Sequence, residues 1–250
     1  HHSTRTPWIV RWPGVTQPNS IDKRHMILGV DVLPTLLDIA GIPAPGRQDG
    51  RSFAPIVRGG AQADRDFIIK EYNENAGGGR HPMRSVQTKR YCYIFNPWSN
   101  GERVFKTATT GTMTYRRMRE LAADDKAIAA RLDLFDHRVV EEFYDVENDP
   151  DSLHNLIDDP GKRNEIHRHR KILEAWMLKT GDHALEVFQK RDNKAFLEAY
   201  MVRIEKESQE RRALKRRAAG PTKGKASARP DVKRGRAKLI ALRLPGSATA

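Results

Sequence analysis

The 250-residue sequence holds 45 Lys/Arg against 32 Asp/Glu and a single cysteine, Cys92. That length admits one large domain or two small ones, and one cysteine excludes both an intrachain disulfide and a metal site built on thiolates. The formal charge of +13 is uneven: fifteen basic but only four acidic residues lie from Arg203 onward, so the rest is nearly neutral. No apolar run approaches the roughly 18 residues that a membrane-spanning helix needs.

In chain order, residues 8–12, from Trp8 to Trp12, predict a strand begun after Pro7 and stopped by Pro13-Gly14. Residues 31–41 predict a helix. Asp31 is placed to cap it and Pro34 is tolerable in its first turn. Val32, Leu33, Leu36, Leu37 and Ala40 supply an apolar face, and Gly41 with Pro43 supplies the stop. Gly50 opens a turn into a short apolar segment at residues 53–57, and residues 65–72 predict a further strand. Gly77, Gly78 and Gly79 lead to another strand. They lack the Gly-Lys-Ser/Thr ending of a phosphate loop, so residues 73–80 predict a plain loop.

Residues 82–96 predict a hairpin around which the ordered chain is arranged. One arm is Met83 to Gln87 and the other is the aromatic, β-branched run Tyr91 to Phe95, with Cys92 as a buried small hydrophobe. Pro82 has no amide to donate and is expected only at the start of its strand. Residues 113–139 predict broken helix and residues 142–146 a strand. The acidic run 147–151 predicts a turn, because it lacks the Gly and terminal Glu of a calcium loop. Residues 165–178 predict an amphipathic helix burying Ile166, Ile172, Leu173, Trp176 and Met177. His167 and His169, two apart, cannot share its face and are expected in solvent. Residues 184–219 predict one long charged helix with an apolar stripe of Leu185, Phe188, Phe196, Leu197, Tyr200 and Ile204. From Gly220 the composition predicts disorder, able to bind polyanions through charge alone, since no aromatic follows Tyr200.

Residues 5–14, 31–41, 50–53, the hairpin, and 142–150 ending in Asn155-Leu156 together resemble the C-terminal part of the sulfatase family, of the alkaline-phosphatase-like superfamily. The resemblance covers roughly residues 4–180. Residues 82–87 look most like the heparan N-sulfatase (N-sulfoglucosamine sulfohydrolase) branch.

The resemblance implies an α/β fold: the end of a larger core at residues 1–62, then a small antiparallel sheet of about four strands with a packed helix at residues 63–182. The charged helical extension (183–219) and basic tail (220–250) follow. It implies hydrolysis of sulfate esters or sulfamates by a formylglycine nucleophile beside a calcium ion, with heparan-type glycosaminoglycan as the sulfated carbohydrate. It also implies a secreted, periplasmic or lysosomal parent, and homo-oligomerisation is left open.

The Cys/Ser-x-Pro-x-Arg motif that yields formylglycine does not occur, and Cys92 is followed by Tyr93-Ile94-Phe95. The family's calcium ligands have no counterpart either. The expectation is a C-terminal fragment without its reaction centre, inactive alone. By resemblance, Glu71, Asn73, His81 and Arg84 are the candidates to face a sulfated sugar, and His2 and Arg5 would lie near the metal-site loop. The alternative function is a non-enzymatic polyanion-binding module using the basic tail.

Overall fold

The computed structural model describes residues 5–63, 65–75 and 78–218. The predicted disordered tail, Gly77 and His2 lie outside them. The chain divides into two units, residues 1–212 and 213–250.

Four antiparallel strands form one sheet in sequence order: β1 (Ile68–Glu74), β2 (Arg80–Gln87), β3 (Tyr91–Phe95) and β4 (Glu141–Asp145). The predicted hairpin is β2–β3. Its turn is closed by the Tyr91 carbonyl, which accepts from the Thr88 amide at 2.9 Å. Pro82 is not at the strand start but third in β2. The β1–β2 register slips there, between Tyr72 and Glu74, and an irregular stretch of ladder has least need of the missing amide.

Register sorts the side chains by face. Ile69, Val86, Tyr93 and Phe143 stand opposite one another on one face. That face is covered by helices α5 (Arg163–Thr180), α6 (Leu185–Gln189) and α7 (Lys194–Ala218). Ile166, Leu173 and Met177 of α5 are buried on it, as predicted, with Phe188 of α6 and Leu197, Tyr200, Met201 and Ile204 of α7. The predicted continuous helix after residue 184 is thus two helices. Residues 190–193 form a turn between them, and Asn193 caps α7 by accepting from the Phe196 amide at 3.1 Å. His169, expected in solvent, is completely buried. Its ring packs edge-on against Phe143, and its Nδ1 donates to the Glu165 carbonyl at 2.7 Å. A local backbone partner lets a histidine occupy an apolar face.

Two successive glutamates of β4 lock the two faces. Glu141 accepts from Arg170 of α5 at 2.8 and 2.7 Å and from the Tyr93 hydroxyl. Glu142, buried on the opposite face beside Cys92 and Tyr144, accepts from Arg138, Asn96 and the Tyr144 hydroxyl. Each buried carboxylate has its charge and lone pairs matched, the condition for such groups to be tolerated.

Helices α3 (Met113–Leu121) and α4 (Lys126–Asp136) fill the predicted broken helical stretch. They are tied together by the Tyr115 hydroxyl donating to Asp136 at 2.9 Å. After β4 the acidic run is a turn, as predicted: the Asn148 amide and side chain both donate to Asp145.

The first sixty residues differ from expectation in three ways. Residues 8–12 pair with no strand among the described residues. A β pattern forms a strand only where a neighbour completes its ladder. Helix α1 (Val32–Ile39) forms, but Leu33 and Leu36 of its apolar face are 56% and 58% exposed. Asp31 does not cap α1. Its carboxylate instead accepts from the Leu28 and Arg51 amides and from Arg65, joining this segment to the chain before β1. Gly50 lies so close to this turn that an added Cβ would sit 2.0 Å from the Val30 carbonyl oxygen, which explains glycine there. The short apolar segment is helix α2 (Ala54–Val57).

Candidate functional site

Three of the four sequence-predicted site residues meet where β1 and β2 approach the turn after α5. That turn is built by Gly181, whose φ of +65° ends the helix in a left-handed step. The Asp182 amide bonds back to Met177 at 2.9 Å, which aims the Asp182 carboxylate at the sheet.

Arg84 receives it. Nε and Nη2 donate to Asp182 at 2.5 and 3.0 Å, a two-point grip that matches guanidinium to carboxylate geometry. Nη1 donates to the Tyr72 and Met83 carbonyls and to Asn73 Oδ1 at 3.2, 2.9 and 3.0 Å. Arg84 is only 1% exposed, and all three of its nitrogens are engaged within the chain. Burial pushes the Asp182 carboxyl up, but hydrogen bonds from Arg84 and the Ala184 amide outweigh it and hold it below the usual carboxylate range.

His183 extends the cluster. Its Nε2 lies 3.3 Å from both Arg84 Nη2 and Asn73 Oδ1, and its Nδ1 lies 3.1 Å from the Tyr200 hydroxyl. Burial and the adjacent Arg84 charge lower its pKa, so the ring is neutral at pH 7. Burial raises the Tyr200 hydroxyl to about 12. Glu71 stands 4.0 Å from Arg84, and its side chain is 56% exposed. Solvent therefore meets Glu71, Asn73 and His183, while Arg84 and Asp182 form the layer that holds them.

His81 is not part of this cluster. It is 8% exposed and edge-on to Trp98 and Phe105, at 5.1 and 5.4 Å between ring centroids. Burial lowers its pKa and keeps the ring neutral. Asp182, His183 and Tyr200 were not predicted as site residues. A glycine helix stop followed by two polar residues is the one sequence signal that points to the first two.

The cluster can orient a neutral polar ligand through Glu71, Asn73 and His183, but it pairs no nucleophile with a base. Among the described residues no group of three or more His, Cys, Asp or Glu converges to hold a metal. They do not fit the calcium ion of the resembled family.

Residues 1–102 match the family model described as N-sulphoglucosamine sulphohydrolase, C-terminal. An ulvan-active sulfatase of Formosa agariphila is 32% identical over 185 residues, covering 71% of this chain and 34% of the relative. Over most of its length the chain is similar to the C-terminal part of the sulfatases. A Δ4,5-hexuronate-2-O-sulfatase of Bacteroides thetaiotaomicron is 26% identical over 181 residues, covering 72% of this chain and 30% of that one. The chain thus spans about a third of the length of these curated sulfatases. The crystal structure of a putative sulfatase from Bacteroides thetaiotaomicron aligns with a TM-score of 0.41 and 25% identity, covering 61% of this chain and 25% of that one.

Proposed function

We propose that this chain is the sheet-and-helix part of a sulfatase that acts on sulfated carbohydrate of the heparan type, and that it has no sulfatase activity alone. The similarity to the ulvan-active sulfatase, sustained over 185 residues, carries this reading. The match of residues 1–102 to the N-sulphoglucosamine sulphohydrolase model supports the heparan-type substrate. The missing Cys/Ser-x-Pro-x-Arg motif supports inactivity, because no residue of the sequence is in place to become formylglycine. In the whole enzyme, Glu71 and Asn73 meet sugar hydroxyls, Arg84, itself held by Asp182, positions them, and calcium is held by residues outside this sequence.

The test is turnover of an aryl sulfate and of N-sulfoglucosamine, with calcium present, by the 250-residue chain and by a protein carrying a formylglycine motif ahead of it. No turnover by the first and turnover by the second is expected. Calcium-dependent turnover by the chain alone overturns the inactivity, and a longer protein inert on every sulfated sugar overturns the function.

A second reading, polyanion binding by the basic tail, is favoured by its composition and by the exposed Lys215, Arg216 and Arg217 just before it. It predicts salt-dependent heparin binding that is lost when Lys215, Arg216 and Arg217 become glutamate. Heparin binding unchanged by that reversal refutes it.

A further inference from the structure

A concavity lies beside the β3–β4 half of the sheet, at the first turn of α7. It encloses about 500 Å³, within the range of small-ligand clefts, about 300–1,000 Å³. Pro97, Val139, Val140 and Leu197 give it an apolar wall, and Arg103, Arg138 and Lys194 bring three cations to it. Two of the cations are matched: Arg138 pairs with the buried Glu142, and Arg103 grips Glu198 at 2.9 and 2.6 Å. Lys194 is exposed, and its ammonium makes no hydrogen bond or ion pair among the described residues. Asn100 has its side-chain oxygen occupied by the Glu102 and Arg103 amides, at 3.0 and 2.9 Å. That leaves its NH₂ group to donate into the cleft.

An unmatched ammonium, an amide donor and a guanidinium held at the rim by an exchangeable carboxylate favour an anion. The apolar wall favours a ligand with a carbon face, which a bare inorganic ion lacks. We propose that this cleft binds an acidic sugar unit, carboxylated or sulfated. Lys194 pairs with the anionic group, the Asn100 amide donates to a hydroxyl, and the Val139–Leu197 wall receives the ring. Glu198 competes with the ligand for Arg103. The sugar half of the assignment rests on the sulfatase reading, whereas the anion half stands on the cleft alone.

The experiment is calorimetric titration of the 250-residue chain with a sulfated heparin disaccharide, an uncharged disaccharide, which is expected not to bind, and inorganic sulfate, with far-UV circular dichroism confirming the fold of each variant. The sulfated disaccharide is expected to bind. Lys194→Ala should weaken it about tenfold, the value of one charge-assisted contact. Glu198→Gln should tighten it several-fold by releasing Arg103. No binding by the folded chain, or affinities unchanged by both variants, overturns the site. Inorganic sulfate binding as tightly as the disaccharide reduces it to a bare-anion site and overturns the sugar assignment. These outcomes are read from binding alone and are independent of the turnover assay that tests the sulfatase reading.

Discussion

Arg84 and Asp182 are 98 residues apart in sequence, and they meet through two hydrogen bonds of 2.5 and 3.0 Å with both side chains almost fully buried. The pair fastens the turn after α5 to the edge half of the sheet. Removing one partner strands the other charge in a site closed to water. Arg84→Met is therefore expected to cost about 3–5 kcal/mol, the usual penalty for breaking a buried pair from one side. Arg84→Met combined with Asp182→Leu should recover much of that loss, because neither charge is then left unpaired. Urea unfolding of the two single variants and the double variant measures this directly. Additive losses in the double variant would show that the two charges are not coupled.

Gly181 sets the aim of Asp182. A side chain there meets no neighbour, so its cost is conformational. Gly181→Ala must hold a left-handed φ and is expected to destabilise the chain by about 1–2 kcal/mol. The part of that loss that comes from misdirecting Asp182 should vanish in the Arg84→Met background. Thermal unfolding in both backgrounds separates the two contributions.

Much of this arrangement was legible in the sequence, and the failures share a cause. The hairpin, β4, α5 and its buried face follow from local patterns, because the residues that define them also cover one another. His169 was misplaced because two-residue spacing decides whether a metal pair can form and says nothing about burial. Its Glu165 carbonyl partner is visible only in three dimensions. The strand expected at residues 8–12 and the buried face expected on α1 are patterns whose partners do not occur among the described residues. The resemblance offers Arg84 to a sulfated sugar, whereas in the fold it is buried. The group within reach in this chain is Asp182, which no spacing rule could connect to it.

Histidine burial sets the acid response. His81, His169 and His183 all have pKa values lowered by burial, so each is neutral in the fold and takes up a proton more readily once unfolded. Stability is therefore complete above the unfolded value of about 6.5 and falls as pH drops below it, by up to about 1.4 kcal/mol per pH unit for each of the buried His81 and His169 while it stays neutral in the fold, and by less for the solvent-exposed His183. Asp182, held low, adds a second loss only below about pH 4, as the pH falls through its depressed value. Denaturation midpoints measured from pH 8 to pH 3 should show both steps. His169→Phe should reduce the upper one if the protein still folds, and a flat profile between pH 7 and pH 5 would contradict the assignment.

Cys92 offers a test of how the sheet opens. It is 4% exposed on the face opposite α5, and its sulfur lies 3.4 Å from the Ser85 hydroxyl. As the single thiol of the chain it reports one place without ambiguity. A strand with neighbours on both sides opens only when the sheet separates, so alkylation of the native protein should be slow and should track the equilibrium population of the unfolded state. Met201→Ala, which removes a fully buried side chain of α7 on the other face, is expected to cost about 2–4 kcal/mol. Labelling of Cys92 should then accelerate by the factor that corresponds to the measured stability loss, roughly tenfold for each 1.4 kcal/mol. Equal acceleration means that the helices on one face and the thiol on the other belong to one cooperative unit. Labelling that ignores Met201→Ala would place Cys92 in a part of the sheet that opens without releasing α7.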